Sequence, residues 1–212
     1  NGRNKKNLIK ALKNIKNCEY VLGDVSDLKQ LHKINKQIKK IDILICNVGN
    51  GKSARPGREN LKDWTKSFKE NFFSTINTIK SFEKKLIKSK GIIICISSIC
   101  GLEFIKGAPI TYSVSKSALN TFVRHYSKII GPKGVKINAI APGNILFEGS
   151  NWEKKLKKGN KIVKKMISDE VSLNKFGSTK DINDIVNYLI NSNSNFANGS
   201  IFVLDGGQIR SF

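Results

Sequence analysis

Three residues near the middle of the chain have the types and spacing needed to move a proton. Ser98 follows the apolar run Ile92–Ile96, and Tyr112 and Lys116 come shortly after it, four positions apart. On a helix, residues i and i+4 share a face, so the phenol and the ammonium can enter one pocket. A free Tyr titrates near pH ~10, and a neighbouring cation favours its phenolate. The expectation is that Lys116 lowers the Tyr112 pKa and makes it a general acid or base, with Ser98 bonding a carbonyl oxygen beside it. Tyr-x3-Lys alone is weak evidence in a chain this rich in Lys, and the segments around it carry the weight.

Those segments alternate between strand-like and helix-like patterns. Helices are expected over Asn4–Ile15, from Ser26 or Asp27 to about Lys40, over Leu61 to about Lys88 as one helix or a broken pair, within Ala108–Ile130 and over Asp181–Asn191. In the second of these, Leu28, Leu31, Ile34 and Ile38 recur at core spacing. Strands are expected at Glu19–Leu22, Ile41–Cys46, Ile92–Ile96, Val135–Ile140 and Ser200–Leu204. Ile92–Ile96 shows no polar alternation, the pattern of a strand covered on both faces. The alternation predicts an α/β fold, a doubly wound parallel sheet with helices on both faces, in one domain spanning 1–212. Ser150–Ser178 breaks the rhythm with no strand. A segment at about 147–178, following the fourth main strand, would lie over the carboxyl edge of the sheet and act as a substrate lid.

Turns close the strands at that same edge. Asp24-Val25, Asn47-Val48-Gly49, Ser97-Ser98 and Pro142-Gly143-Asn144-Ile145 all sit where a doubly wound sheet binds ligands. With these residues in place the chain resembles the short-chain dehydrogenase/reductase family along its whole length. Asp24 and Val25 match the family's adenine-side position. Asn47, Val48 and Gly49 resemble its Asn-Ala-Gly motif, with Cys46 and Val48 departing from the usual residues. Asn71 matches the helix Asn of its proton relay, and Ser98, Tyr112 and Lys116 match its other catalytic positions. Pro142, Gly143 and Ile145 match the segment that cups the nicotinamide.

The resemblance implies a Rossmann-like fold and hydride exchange between a nicotinamide and a carbonyl or alcohol carbon, as in 3-oxoacyl-carrier-protein reductases. Tyr112 would protonate the alkoxide, Ser98 would hold the oxygen, Lys116 would lower the Tyr112 pKa and bind the nicotinamide ribose, and Asn71 would orient a water. A non-catalytic nucleotide-binding or scaffold remnant of the same fold is the alternative. Gly2 and Arg3 stand where NAD-dependent members carry an acidic residue. An Arg there can pair with a 2′-phosphate, so NADP(H) is favoured over NAD(H). The family's first strand and its glycine-rich turn have no counterpart, and Asn1-Gly2-Arg3 would end the family's second strand. The expectation is a fragment of a longer product, with a gap of roughly 10 Å in the sheet, which on its own would not fold stably or bind cofactor.

Composition narrows the partners. The 212 residues carry a formal net charge of +22, with 39% hydrophobic and 25% charged residues. The excess is Lys spread over solvent faces, without the interleaved aromatics that stack bases, so no specific nucleic acid is expected. No apolar run approaches the roughly 20 residues of a membrane span. Cys18, Cys46, Cys95 and Cys100 form no CxxC pair and share no ligand spacing with His32 or His125, so no metal site is expected and a reducing cytoplasm fits. Ala118, Leu119, Phe122, Val123 and Tyr126 give the helix after Tyr112 a broad apolar surface, and family members use this helix to form homodimers and homotetramers. The substrate expected is a small-molecule or carrier-linked carbonyl.

Overall fold

Ile92–Ile96 carries no polar residue, and in the computed structural model Ile93, Ile94 and Cys95 are fully buried between two layers of helices. The structure describes residues 1–13, 15–159, 161–191 and 196–210. Asn14, in the helix expected over Asn4–Ile15, and Asn160, in the expected lid, lie outside the described residues. In chain order the elements are α1 (Lys5–Leu12), α2 (Leu28–Gln37), β1 (Ile43–Cys46), α3 (Leu61–Phe68), a π-helical turn (Lys69–Phe73), α4 (Ser74–Ser89), β2 (Ile92–Ile96) and a 3-10 turn (Ile99–Gly101). There follow α5 (Ile110–Ile130), β3 (Lys136–Pro142), β4 (Ile145–Leu146), α6 (Asn151–Lys157), α7 (Lys161–Glu170), β5 (Gly177–Ser178), α8 (Thr179–Asn191) and β6 (Ile201–Leu204).

The main sheet has the order β1-β2-β3-β6 and every pair is parallel. Leu44, Ile93, Cys95, Ile137 and Ala139 point to one face and pack against α2, α4 and α5 through residues such as Ile34, Leu86, Leu119 and Val123. Ile94 and Ile140 point to the other face and pack against Val186 and Leu189 of α8. This is the α/β, Rossmann-like arrangement, with helices on both faces. Parallel pairing in a common register brings the carboxyl ends of β1, β2 and β3 to one edge: Cys46 stands beside Cys95, and Ile96 beside Ile140. The loops that follow those residues therefore meet, which is what places the functional side chains together.

Four details depart from the sequence expectation. Leu28 is 64% exposed, because Asp27 caps α2 by accepting from the Lys29 and Gln30 backbone N–H groups and leaves Leu28 at the solvent-facing first position. Leu31 and Ile34 alone carry the buried stripe of that helix. Glu19–Leu22 is not a strand. Only a single parallel bridge, Gly2 with Leu22, forms there, since a ladder needs more than one paired residue. Ser150–Ser178 does contain a strand, β5, whose two residues pair with β4. The apolar surface of α5 is largely consumed inside the chain: Leu119, Val123 and Tyr126 are buried, and Phe122 stacks on Tyr126 with ring centroids 4.9 Å apart.

Leu119 is fully buried between α5 and the sheet, whereas Leu28 touches mainly water. Leu119→Ala should cost about 2–5 kcal/mol in a urea unfolding experiment. Leu28→Ala should stay within about 0.5 kcal/mol.

Candidate active site

β2 ends at Ile96, and the chain turns at Ser97 and Ser98. Ser98 is in extended conformation and caps the 3-10 turn, its Oγ accepting from the Cys100 N–H at 3.2 Å. That turn packs directly on α5. A Cβ on Gly101 would fall 2.6 Å from the Lys116 carbonyl carbon, so only glycine permits the approach. The close contact brings Ser98 alongside the first turn of α5, where its hydroxyl and the Tyr112 phenol line one pocket and lie near enough for Ser98 to favour the phenolate. Lys116, one turn further, is 4% exposed. Its Nζ donates to the Ile96 carbonyl at 2.8 Å and lies 5.8 Å from the centre of the Tyr112 ring.

Asn71 reaches the same place from the opposite side. The five-residue π-helical turn Lys69–Phe73 separates α3 from α4, and Asn71 inside it is fully buried. Such turns insert an extra residue and re-aim the side chains around them. The Asn71 amide clamps the loop after β1: Oδ1 accepts from the Asn50 N–H at 2.7 Å, and Nδ2 donates to the Asn50 carbonyl and the Ser67 carbonyl, each at 3.0 Å. Gly49 closes the arrangement. A Cβ there would stand 2.9 Å from Asn71 Oδ1 and 3.3 Å from Lys116 Nζ, so loop, amide and ammonium meet at one point.

The electrostatics reverse one expectation. Burial pushes the Tyr112 phenol up to about 12, with Ser98 only partly opposing it. Burial likewise pulls Lys116 down to about 8. Lys116 does not lower the Tyr112 pKa here: its ammonium donates to the Ile96 carbonyl and lies over the ring, and desolvation moves both groups toward their neutral forms.

Ser98 and Tyr112 open onto a pocket of about 670 Å³, which Cys100 and Asn144 also line. Trp152 of α6 and Met166 of α7 form its far wall, so the lysine-rich segment stands over the carboxyl edge of the sheet. Phe147 of that segment is exposed and faces elsewhere. Pro142 is buried, and Gly143 N–H bonds the Leu204 carbonyl at 3.0 Å, fixing the β3 end against β6. Ile145 is half-buried in the β4–β5 pair. Asn47, Val48 and Gly49 are exposed on the loop after β1. Val25, by contrast, is buried in the core.

Arg3 and Asp24 lie further out along the same edge and pair at 3.4 Å. Burial raises the Asp24 carboxyl, but hydrogen bonds from Ser26 and the Arg3 guanidinium outweigh it and hold the group below the usual range. Sequence reasoning missed Asn50 and Cys100. The Cys100 thiol is near enough to Tyr112 and Lys116 to influence both, and its position two residues after Ser98 in a tight turn was the available signal. Asn50 had none, since its role depends on a backbone contact made across the fold. Among the described residues, no group of acidic, His and Cys side chains could hold a metal ion, and no helix is long and apolar enough to cross a membrane.

Comparisons with known proteins identify the family. A family model described as enoyl-(acyl carrier protein) reductase matches residues 1–208. The 3-oxoacyl-[acyl-carrier-protein] reductase FabG of Rickettsia typhi is 30% identical over 215 residues, covering 98% of this chain and 84% of that protein. FabG of Aquifex aeolicus is 28% identical over 189 residues, covering 89% of this chain and 73% of that protein. The isoepoxydon dehydrogenase patN of Penicillium expansum is 27% identical over 176 residues, and the chain spans 65% of its length. Among solved structures, ElxO with NADP bound superposes with a TM-score of 0.86 at 28% identity, covering 96% of this chain and 84% of that one. The chain belongs to the short-chain dehydrogenase/reductase family.

A pH test follows from Lys116. Its pKa falls from 10.5 to about 8 on folding, so between those values the unfolded chain holds a proton that the folded chain has released. Stability contributed by Lys116 therefore rises with pH through that window. Tyr112, held protonated to about 12, acts in the opposite sense only above pH 10. Urea titrations from about pH 8 to 10 should show the wild type gaining on Lys116→Met by up to about 1.4 kcal/mol per pH unit. A constant difference between the two would show that Lys116 stays charged in the fold.

Proposed function

We propose that this chain is an NADP(H)-dependent oxidoreductase that interconverts a carbonyl and an alcohol, in the manner of 3-oxoacyl-carrier-protein reductases, and that Asn71, Ser98, Tyr112 and Lys116 carry the reaction. The observation that supports it most is that Ser98 and Tyr112 line one pocket of about 670 Å³, with the buried Lys116 donating to the Ile96 carbonyl two residues before Ser98. The family relationship to FabG and the likeness to NADP-bound ElxO add weight.

The residues present fit a nicotinamide nucleotide. Gly49 allows backbone to approach closely, and Asn47 and Val48 are open to the crevice. Lys116 Nζ has three donors, of which the Ile96 carbonyl takes one, leaving two for ribose hydroxyls. Pro142, Gly143 and Ile145 would face the nicotinamide, and Asp24 and Val25 the adenine. Arg3 supports NADP(H) over NAD(H), since a guanidinium can pair with a 2′-phosphate. When bound, the nucleotide supplies or takes up the hydride.

The protein's part is position and proton. A substrate carbonyl between Ser98 and Tyr112 would accept a hydrogen bond from each. As negative charge develops on that oxygen, the Tyr112 O–H transfers its proton to it. With its pKa held up to about 12 the phenol is fully protonated at neutral pH, the form that must donate in the reducing direction. Lys116, poised near 8, holds its charge close to neutral pH and would bind the nicotinamide ribose. Asn71 fixes the loop over Lys116, and the segment at 147–178 acts as the lid that excludes water. The substrate is a small-molecule or carrier-linked carbonyl compound, and assembly is as a homodimer or homotetramer.

Reduction of a 3-oxoacyl thioester, followed by loss of NADPH absorbance, tests the reading. Tyr112→Phe should lower turnover by about 10²–10⁴-fold while nucleotide affinity is retained. Undiminished turnover in that variant would refute the assignment. NADPH should be used in preference to NADH.

A further inference from the structure

The cleft outside Asp24 is walled by cations to which nothing above gives a role. Lys62, Lys66 and Lys69 stand four and then three residues apart, so they share one face of α3 and the π-helical turn that continues it. Together with Arg3, Asp24 and Glu70 they line a cleft of about 520 Å³. Like charges at this spacing destabilise a helix. None of the three lysines takes part in an ion pair among the described residues, although Lys69 acts at longer range on the Asp27 carboxyl. The fold thus bears the repulsion without a direct ion pair to any of the three among the described residues.

The two acids of the cleft are already engaged. Asp24 accepts from the Ser26 N–H at 2.8 Å and pairs with Arg3. Glu70 accepts from Asn50 Nδ2 at 3.2 Å. That second bond ties the cleft to the Asn50 loop, and hence to Asn71 and the nucleotide crevice beyond it. Four cations and two carboxylates leave the cleft with a charge of +2. A phosphate monoester at neutral pH carries roughly −1.5 to −2. One such group would balance the cleft and relieve the stripe.

We infer that Lys62, Lys66 and Lys69 form, opposite Arg3, the second wall of a binding site for the ribose 2′-phosphate that distinguishes NADP(H) from NAD(H). The inference rests on the nucleotide reading above and adds to it: the choice of nucleotide is made by α3 as much as by Arg3. A solvated lysine face would show the same composition but no selectivity for where the phosphate sits.

Calorimetric titration with 2′,5′-ADP, 5′-AMP and inorganic pyrophosphate separates these cases. Wild type should bind 2′,5′-ADP at least about tenfold more tightly than 5′-AMP, as several charge-assisted hydrogen bonds to one phosphate imply. The triple variant Lys62→Gln, Lys66→Gln, Lys69→Gln should lose that preference with 5′-AMP affinity unchanged, and the corresponding triple Lys→Arg variant should keep it. An unchanged urea midpoint shows that both variants are folded. Unaltered 2′,5′-ADP binding by the Gln variant overturns the inference, as does pyrophosphate binding as tight as that of 2′,5′-ADP. If wild type binds 5′-AMP and the extra phosphate adds nothing, this inference alone falls. If it binds neither adenosine nucleotide, the nucleotide reading falls with it.

Discussion

An ammonium group buried to 4% exposure, with one strong hydrogen bond to the carbonyl that ends β2, is the constraint on which the rest of this structure depends. Water would solvate Lys116 better than the protein does, as its depressed pKa shows. It is held in place by architecture. β2 must end at Ile96 for the carbonyl to be free, α5 must press against the 3-10 turn at Gly101, and the loop carrying Gly49 must close over the amine. Each of these depends in turn on the parallel register of the sheet and on the fully buried side chains of Leu119 and Val123 beneath α5.

The same desolvation sets the chemistry. Tyr112 and Lys116 are both moved toward their neutral forms, the phenol upward and the amine downward. Two groups whose ordinary pKa values nearly coincide are thereby separated by several units, in the opposite order from the one a simple ion-pair argument suggests. Ser98 is the one neighbour that favours ionisation of the phenol. Developing charge on a substrate oxygen would therefore meet a proton donor and a cation in a site with little water to screen them.

Much of this was legible in the sequence, and the reasons are local. Ile92–Ile96 reads as a doubly covered strand because nothing polar interrupts it. α5 reads correctly because Pro109 and Gly131-Pro132 bracket one continuous pattern. Asn71, Ser98, Tyr112 and Lys116 stand at spacings that the strand–turn–helix order brings to one edge. What escaped depends on contacts distant in sequence. The π-helical turn that aims Asn71 has no periodicity signature, and its partner Asn50 lies 21 residues away. Burial of Tyr112 is a property of the assembled pocket, so its raised pKa could not be inferred from a Lys four residues on. Leu28 fits the apolar stripe by spacing, but the cap at Asp27 leaves it at the solvent-facing first position of α2. The two-residue pair β4–β5 is too short to carry an alternation pattern.

The central claim is that the phenol at position 112 is half-buried and desolvated, stands beside Ser98 in one pocket and is kept protonated near a buried amine. Carbon-13 labelling of the tyrosine Cζ atoms, with Tyr112→Phe to assign the signal, allows direct titration of this group by NMR. The account predicts that the Tyr112 signal moves only at high pH, with a midpoint near 12, well above the ordinary value of 10. A midpoint at or below 10 would contradict it.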